Sequence, residues 1–153
     1  MANPFPFSAG GVLTAADINS IGDWLTFTPS FTNVTLGASG AVTGRYAEVN
    51  DLVFYTARFS LGGTGSVTGH VIMAPPVGTA DSSTTYVTSH SGWVRPTGST
   101  IYHAMGFSSG ASIYFYGYGL SGSYSGAAAV NATAPATWNS SGLGYFAGWY
   151  AKA

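Results

Sequence analysis

The chain of 153 residues has no cysteine, very little charge and no long hydrophobic run. The absence of cysteine excludes disulfide frameworks, thiolate catalysis and cysteine-based zinc sites. Charged residues make up 6% of the sequence, whereas ordinary domains have about 25%. The basic residues are too few and too scattered to neutralise a row of phosphates: Arg45, Arg58, Arg95 and Lys152. We therefore expect no nucleic-acid partner.

No part of the sequence has the composition of a membrane-spanning or secretory segment. A transmembrane helix needs about 18 consecutive apolar residues, and no stretch approaches that length. The opening residues lack the basic residue and the apolar run of a signal peptide. We expect no membrane insertion, and synthesis in a cytoplasm without a signal peptide.

The chain does have enough apolar residues to fill one core. Hydrophobic residues make up 46% of the sequence and aromatic residues 15%, which excludes a disordered chain. Hydroxyl groups must supply much of the polar surface, because 19 serines and 17 threonines accompany the few charges. A protein with so little charge tends to associate, so we expect a homo-oligomer.

The first 23 residues differ from the rest and are predicted to form an anchor. Two prolines alternate with two phenylalanines, which favours an extended apolar arm. Thr14 can cap one short helix over residues 15–21, with Gly22 at its end. We expect residues 1–23 to dock on another protein through Pro4, Phe5, Pro6, Phe7, Leu13 and Ile18.

Residues 24–153 show the alternation of β-strands and no helical period. Runs rich in Val, Thr, Tyr and Phe recur between clusters of Gly, Ser, Pro and Asn. The clearest hairpin covers residues 41–61 around an Asn50-Asp51 turn. About nine short strands favour an all-β fold, an antiparallel β-sandwich or jelly roll preceded by the arm and the helix. The predicted strands cover residues 25–31, 41–49, 52–61, 67–73, 84–89, 101–107, 112–118, 127–130 and 144–151.

The residues offer no convincing catalytic or metal-binding set. His70, His90 and His103 would have to meet from distant loops to bind a metal. Glu48 and Asp51 are the only close carboxylate pair, and capping of the hairpin turn explains both. No Gly-x-Ser-x-Gly elbow is present, although the serines leave a triad open. The sequence therefore predicts a protein that is not an enzyme, with no catalytic residue, metal or cofactor.

A row of tyrosines is the most informative aromatic pattern. Tyr114, Tyr116 and Tyr118 have period two, so a strand would present all three on one face, opposite Ile113 and Phe115. This tyrosine row is the candidate receptor or subunit surface, since its rings could stack on sugars or fill a protein interface. A cross-strand ladder that covers the sheet is the alternative. We expect the tryptophans Trp93, Trp138 and Trp149 to close the core or the ends of the sandwich.

Several motifs together resemble a family of small β-sandwich proteins of tailed-bacteriophage virions, the tail-fibre or minor tail proteins. The leader FSAGGVLTAADIN at residues 7–19 is similar to the opening of such proteins. Two departures are Asn50-Asp51 where the family usually has Gly-Lys, and Lys152 near the end in place of an acidic residue. The other matching segments are Phe27-Thr28-Pro29-Ser30, Gly44-Arg45-Tyr46, Pro75-Pro76, Ala134-Pro135-Ala136-Thr137-Trp138 and Gly148-Trp149-Tyr150-Ala151.

The resemblance implies a structural protein on the virion surface. It favours a homotrimeric knob at the tail fibre or tail tip that adheres to the host, with a cell-surface glycan as a candidate receptor and other virion proteins as partners. The alternative is a capsid decoration protein that binds the major capsid shell, because the chain has no heptad or β-helical shaft of its own. A carbohydrate-active enzyme is the third and least favoured hypothesis, since a pair of facing carboxylates is missing.

Overall fold

The computed structural model describes residues 22–81, 89–119 and 126–153. These residues form ten β-strands, paired antiparallel throughout, which confirms the predicted all-β, antiparallel class. They include no helix of the length and apolar character needed to cross a membrane. The strands are β1 (Leu25–Phe27), β2 (Phe31–Thr35), β3 (Ala41–Val49), β4 (Leu52–Ser60), β5 (Ser66–Met73), β6 (Ser89–Arg95), β7 (Tyr102–Ser109), β8 (Ser112–Gly119), β9 (Gly126–Ala129) and β10 (Leu143–Ala151).

All ten strands belong to one hydrogen-bonded sheet. Their order across the sheet is β1-β3-β4-β10-β6-β7-β8-β5-β2, and β9 pairs with β8 outside this path. The first two of the described strands, β1 and β2, therefore lie at opposite ends of this order. The last strand, β10, lies in the interior of the sheet between β4 and β6.

The separation of β1 from β2 corrects one predicted strand, residues 25–31. That prediction is wrong because the chain stops pairing at residues 28–30, around the buried Pro29. Proline has no N–H to donate to a sheet, so it favours such a break. Phe27 pairs with Gly44 of β3, whereas Phe31 pairs with Met73 of β5.

The structure also contains a strand that the sequence analysis missed. β6 is short of apolar residues, because Ser89, Ser91 and Gly92 occupy three of its seven positions. The strand predicted at residues 84–89 lies outside the described residues except for Ser89. The remaining predicted strands agree with the structure to within two residues at each end.

The predicted hairpin of β3 and β4 is confirmed over its whole length. Its pairs run in register from Ala41 and Ser60 to Val49 and Leu52. Asn50 in the turn has a φ of 56°, a left-handed conformation that Asn adopts more readily than most residues.

Glu48 does not cap this turn, contrary to the prediction. Its Oε2 lies 2.5 Å from Nζ of Lys152. The amide of Lys152 in turn donates a hydrogen bond to the carbonyl of Asp51 at 2.6 Å. The two contacts fasten the residues after β10 to the hairpin turn.

The inner face of the sheet forms the core because the sheet curls upon itself. Phe115 of β8 stacks on Phe146 of β10 with ring centroids 3.8 Å apart, although two strands separate them in the sheet. Phe31 on the edge strand β2 packs against Phe59 of β4 at 5.1 Å. The described strands thus enclose one core within one curled sheet, and the expected division into two sheets is not seen in their hydrogen bonding.

Candidate functional site

The outer face of the curled sheet is where exposed aromatic side chains collect. Alternation assigns each strand residue to a face: in β4, Val53, Tyr55 and Phe59 are buried, whereas Phe54 and Arg58 are exposed. Residues directly opposite each other in neighbouring strands share a face, so the register extends this assignment across the sheet. The outer face therefore carries two aromatic surfaces, a groove over β4, β10 and β6 and the tyrosine row on β8.

Small side chains on three adjacent strands form the floor of the groove. Thr56 of β4 pairs with Ala147 of β10, and Ala147 pairs with Ser91 of β6. Larger rings stand beside this floor, because Phe54 lies opposite Trp149 in the neighbouring cross-strand pair. The depression therefore follows from an alternation of small and large residues along the same strands.

Trp24, just before β1, adds a third ring to the groove. The resulting open groove has a volume of about 400 Å³. Trp24 is 50% exposed and Phe54 is 37% exposed, so both present aromatic surface to solvent. The described residues that line the groove carry no charge: Trp24, Phe54, Tyr55, Thr56, Ser89, Ser91, Ala147, Gly148 and Trp149.

The groove corrects the expectation for the tryptophans. Trp138 does pack on the core, with its ring 5.7 Å from that of Phe59. Trp149, however, lines the groove, and Trp93 stacks on Tyr145 of the outer face at 6.0 Å. Sequence reasoning therefore missed Trp24, Phe54 and Trp149 as site residues. The sequence could have indicated Phe54, because it alternates with Val53 and Tyr55 and must therefore lie on the opposite face of the strand.

The tyrosine row has the predicted orientation. Ile113 and Phe115 are fully buried, whereas Tyr118 is 45% exposed on the opposite face and Tyr114 and Tyr116 are half-buried there. The alternation in β8 is thus confirmed, and the row belongs to the outer face.

Two of the three tyrosines are packed against other rings. Phe107 of β7 stacks on Tyr114 at 5.2 Å and on Tyr116 at 5.6 Å. His70 of β5 contacts the same two rings at 5.5 and 4.9 Å. Tyr114 and Tyr116 therefore form the cross-strand ladder that was the alternative hypothesis. Only Tyr118, whose hydroxyl donates to Sδ of Met105 at 2.9 Å, extends beyond this ladder.

His70 also connects two strands where they separate. The amide of Val130 donates to the carbonyl of Phe115, and the amide of Val71 donates to the carbonyl of Val130, so Val130 inserts between β8 and β5. Nε2 of His70 lies 2.9 Å from the same Phe115 carbonyl. Since a carbonyl only accepts, this contact requires the proton on Nε2.

His90 lies on the inner face, behind the serine residues of the groove. Its Nδ1 is 2.9 Å from the hydroxyl of Tyr55. Gly148 and Gly106 occupy the two paired positions beside it, and a Cβ on Gly148 would lie 2.6 Å from Nδ1. The imidazole thus occupies space that two glycines leave open, and the groove floor covers it.

Burial sets the protonation state of this inner pair. It lowers the pKa of His90 to about 4, because the charged imidazolium would lose its hydration. Burial, and then the proximity of Tyr150, raise the pKa of Tyr55 far above its usual range. Both side chains are neutral at pH 7. Nε2 of His90 is buried and has no hydrogen-bond partner among the described residues. We interpret His90 and Tyr55 as part of the core.

The three histidines are not brought together. His90 is buried inside, His70 supports the tyrosine row, and His103 is exposed on β7 opposite Trp93. Within residues 22–81, 89–119 and 126–153, no three His, Cys, Asp or Glu side chains are grouped to hold a metal ion. The candidate anchor residues lie outside the described residues: Pro4, Phe5, Pro6, Phe7, Leu13 and Ile18.

Comparison with known proteins found no relative of this chain. No family model matches the chain, and neither a curated protein nor a solved structure shows significant similarity to it.

Proposed function

We propose that the protein is a non-enzymatic structural component displayed on the outside of a tailed-bacteriophage virion, a homo-oligomeric knob of the tail fibre or tail tip that adheres to the host. The resemblance of the leader and of the sandwich motifs supports the setting. The structural observation that carries the proposal is the outer face of the sheet, where exposed aromatic residues are concentrated and where no charged residue is part of the groove lining. Such a face is typical of a binding surface.

The curl of the sheet supports the finer proposal of a sandwich-like knob. β2 packs Phe31 across the core on Phe59, and β8 packs Phe115 on Phe146. Strands that are distant in the sheet order therefore pack on each other across one core. A jelly roll also packs distant strands across one core, although it does so with two sheets.

The surface around the tyrosine row supports the homo-oligomer. Met105 and Phe107 are each 44% exposed beside Tyr118. Met, Phe and Tyr are enriched in protein interfaces, and an apolar surface on a chain with 6% charged residues favours contact with another copy. We favour a closed trimer, in which this surface lies between subunits.

Light scattering after gel filtration tests the oligomer. At low micromolar concentration the wild-type protein should have about three times the mass of one chain. Replacing Met105 and Phe107 together by Ser should reduce that mass to one chain. Phe54→Ser is the matched control, because Phe54 is a similarly exposed phenyl ring on the same face. A folded wild-type monomer would contradict the proposed assembly.

Capsid decoration is the alternative function. The leader should anchor the knob in either case. Deletion of residues 2–22 should leave the β circular-dichroism signal and the oligomer unchanged, while the protein no longer enters particles. Unfolding of the truncated chain would contradict the anchor.

Copy number separates the two locations. Immunogold labelling and quantitative gels of purified particles should find this protein at the tail in a few to a few tens of copies. Hundreds of copies over the shell would instead establish decoration, and absence from particles would overturn the virion proposal.

A further inference from the structure

The groove and the tyrosine row differ in the ligand that each could accept. The groove has three rings, and its lining includes the hydroxyl-bearing residues Thr56, Ser89 and Ser91. In the tyrosine row, by contrast, Phe107 already stacks on Tyr114 and Tyr116, and the hydroxyl of Tyr118 donates to Met105. A ligand with both an apolar face and polar edges therefore fits the groove better.

The rings of the groove are not stacked on other rings of the part of the chain that the structure describes. Among the described residues, Trp24, Phe54 and Trp149 make no ring-to-ring contact with one another or with a neighbour. Trp24 and Phe54 expose 50% and 37% of their surface. Apolar surface that the fold itself leaves uncovered is typical of a binding site.

The absence of charged residues from the groove lining further restricts the class of ligand. No acidic or basic side chain lines the groove, so a strongly charged ligand would lose hydration without gaining an ion pair. Arg45 pairs with Thr56 from β3 but is not part of the lining. The hydroxyls of the lining residues can both donate and accept, which matches a ligand rich in hydroxyls.

We propose that this groove binds a neutral pyranose ring of a glycan. The apolar face of the sugar, formed by its C–H groups, would lie on Trp149 and Trp24, and its hydroxyls would pair with Thr56, Ser89 and Ser91. A volume of about 400 Å³ is at the lower end for small-molecule sites and suits one or two sugar rings. The inference rests on the proposed adhesion function and deepens it by naming the site and the ligand class.

Binding of simple sugars by the full-length protein tests the inference. The probes are the methyl pyranosides of glucose, galactose and N-acetylglucosamine, measured by saturation-transfer NMR and by quenching of tryptophan fluorescence. We expect at least one to bind. Trp149→Ala and Phe54→Ala should each weaken its binding about tenfold, as loss of a central aromatic contact does.

Trp93→Ala is the matched control for these variants. Trp93 is also an outer-face tryptophan, but it stacks on Tyr145 and does not line the groove. Its loss should leave the affinity unchanged. The affinity should also change less than about twofold between roughly 0.05 and 0.5 M salt, because no ion pair is involved.

Several outcomes would overturn the groove as a sugar site. One is that no probe binds to the wild-type protein. Another is that binding survives Trp149→Ala and Phe54→Ala but is lost in Tyr118→Ala. A third is that Trp149→Ala dissociates the oligomer while the wild type binds no sugar, which would make the groove an interface between copies.

The two proposals fail separately. A protein that is found on particles and adsorbs to host cells without binding any pyranoside retains its proposed function and loses the groove. A protein that binds a pyranoside through Trp149 but is absent from particles retains the groove and loses the virion function.

Discussion

On the outer face of the sheet, the rings of the groove stand apart, whereas the rings of the tyrosine row pack against one another. Tyr114 and Tyr116 lie between Phe107 and His70, so their apolar surface is used within the fold. Phe54 and Trp149 border a floor of small residues instead. Aromatic residues with the same alternation thus form a structural ladder in one place and a ligand-accessible surface in the other. The residues between the rings decide which one forms.

The largest effect is expected from a change beneath the groove. A Cβ on residue 148 would lie 2.4 Å from the carbonyl oxygen of Ser89 and 2.6 Å from Nδ1 of His90. Because a backbone oxygen in a paired strand cannot move aside easily, Gly148→Ala should cost about 3 kcal/mol of unfolding free energy.

Urea denaturation followed by circular dichroism measures the cost of Gly148→Ala. Gly98→Ala is the control, since a Cβ there meets no atom within 4 Å. Equal midpoints for the two variants would show that the groove floor tolerates a shift of β10.

Acid should lower the free energy of unfolding through His90, which lies beneath the groove. The pKa of His90 is about 4 in the folded protein against 6.5 in its usual state, so the unfolded chain binds the proton first as the pH falls. The stabilisation is complete above pH 6.5, declines as the pH falls from there to about 4, and then levels off. The loss is on the order of 3 kcal/mol.

Denaturation across that pH range, with wild type and His90→Gln compared, tests this assignment. The variant should lack this part of the pH dependence. If the variant does not fold, NMR titration of the His90 ring in the wild type gives the same answer. An imidazole that titrates above pH 6 would contradict the buried neutral pair.

The smallest expected change in stability compares the tyrosine row with the groove. Phe107→Ala removes the ring that stacks on both tyrosines and should cost about 1 to 2 kcal/mol of unfolding free energy. Phe54→Ala removes a ring with no such stack and should cost about 0.5 kcal/mol or less. Thermal melts of the two variants measure the difference. A costlier Phe54→Ala would mean that the groove rings support the fold.

The strands were more predictable than the groove. Alternation located β4, β8 and β10 because each combines buried large residues with a period of two. It failed for β6, whose serines and glycine give no apolar pattern. It also failed to separate β1 from β2, since their partners lie far away in the sequence.

The groove could not be predicted because its parts are brought together only by strand order. Phe54 and Trp149 are separated by most of the chain and become neighbours when β10 pairs with β4. The tyrosine row, by contrast, lies within a single strand, and local alternation was sufficient to find it.

The interior position of β10 limits how much of the sheet can pair before the end of β10 has been synthesised. Among the described strands, β10 alone joins β4 to β6, and thus the β1-β3-β4 group to the rest of the sheet. During synthesis the hairpin of β3 and β4 can form early, but its free edge has no partner until the last of these strands has left the ribosome. Pairs so distant in sequence form slowly, since a long loop must close first. The unpaired edges of β4 and β6 are therefore exposed for as long as β10 is missing, and that interval is when the chain is most prone to aggregate.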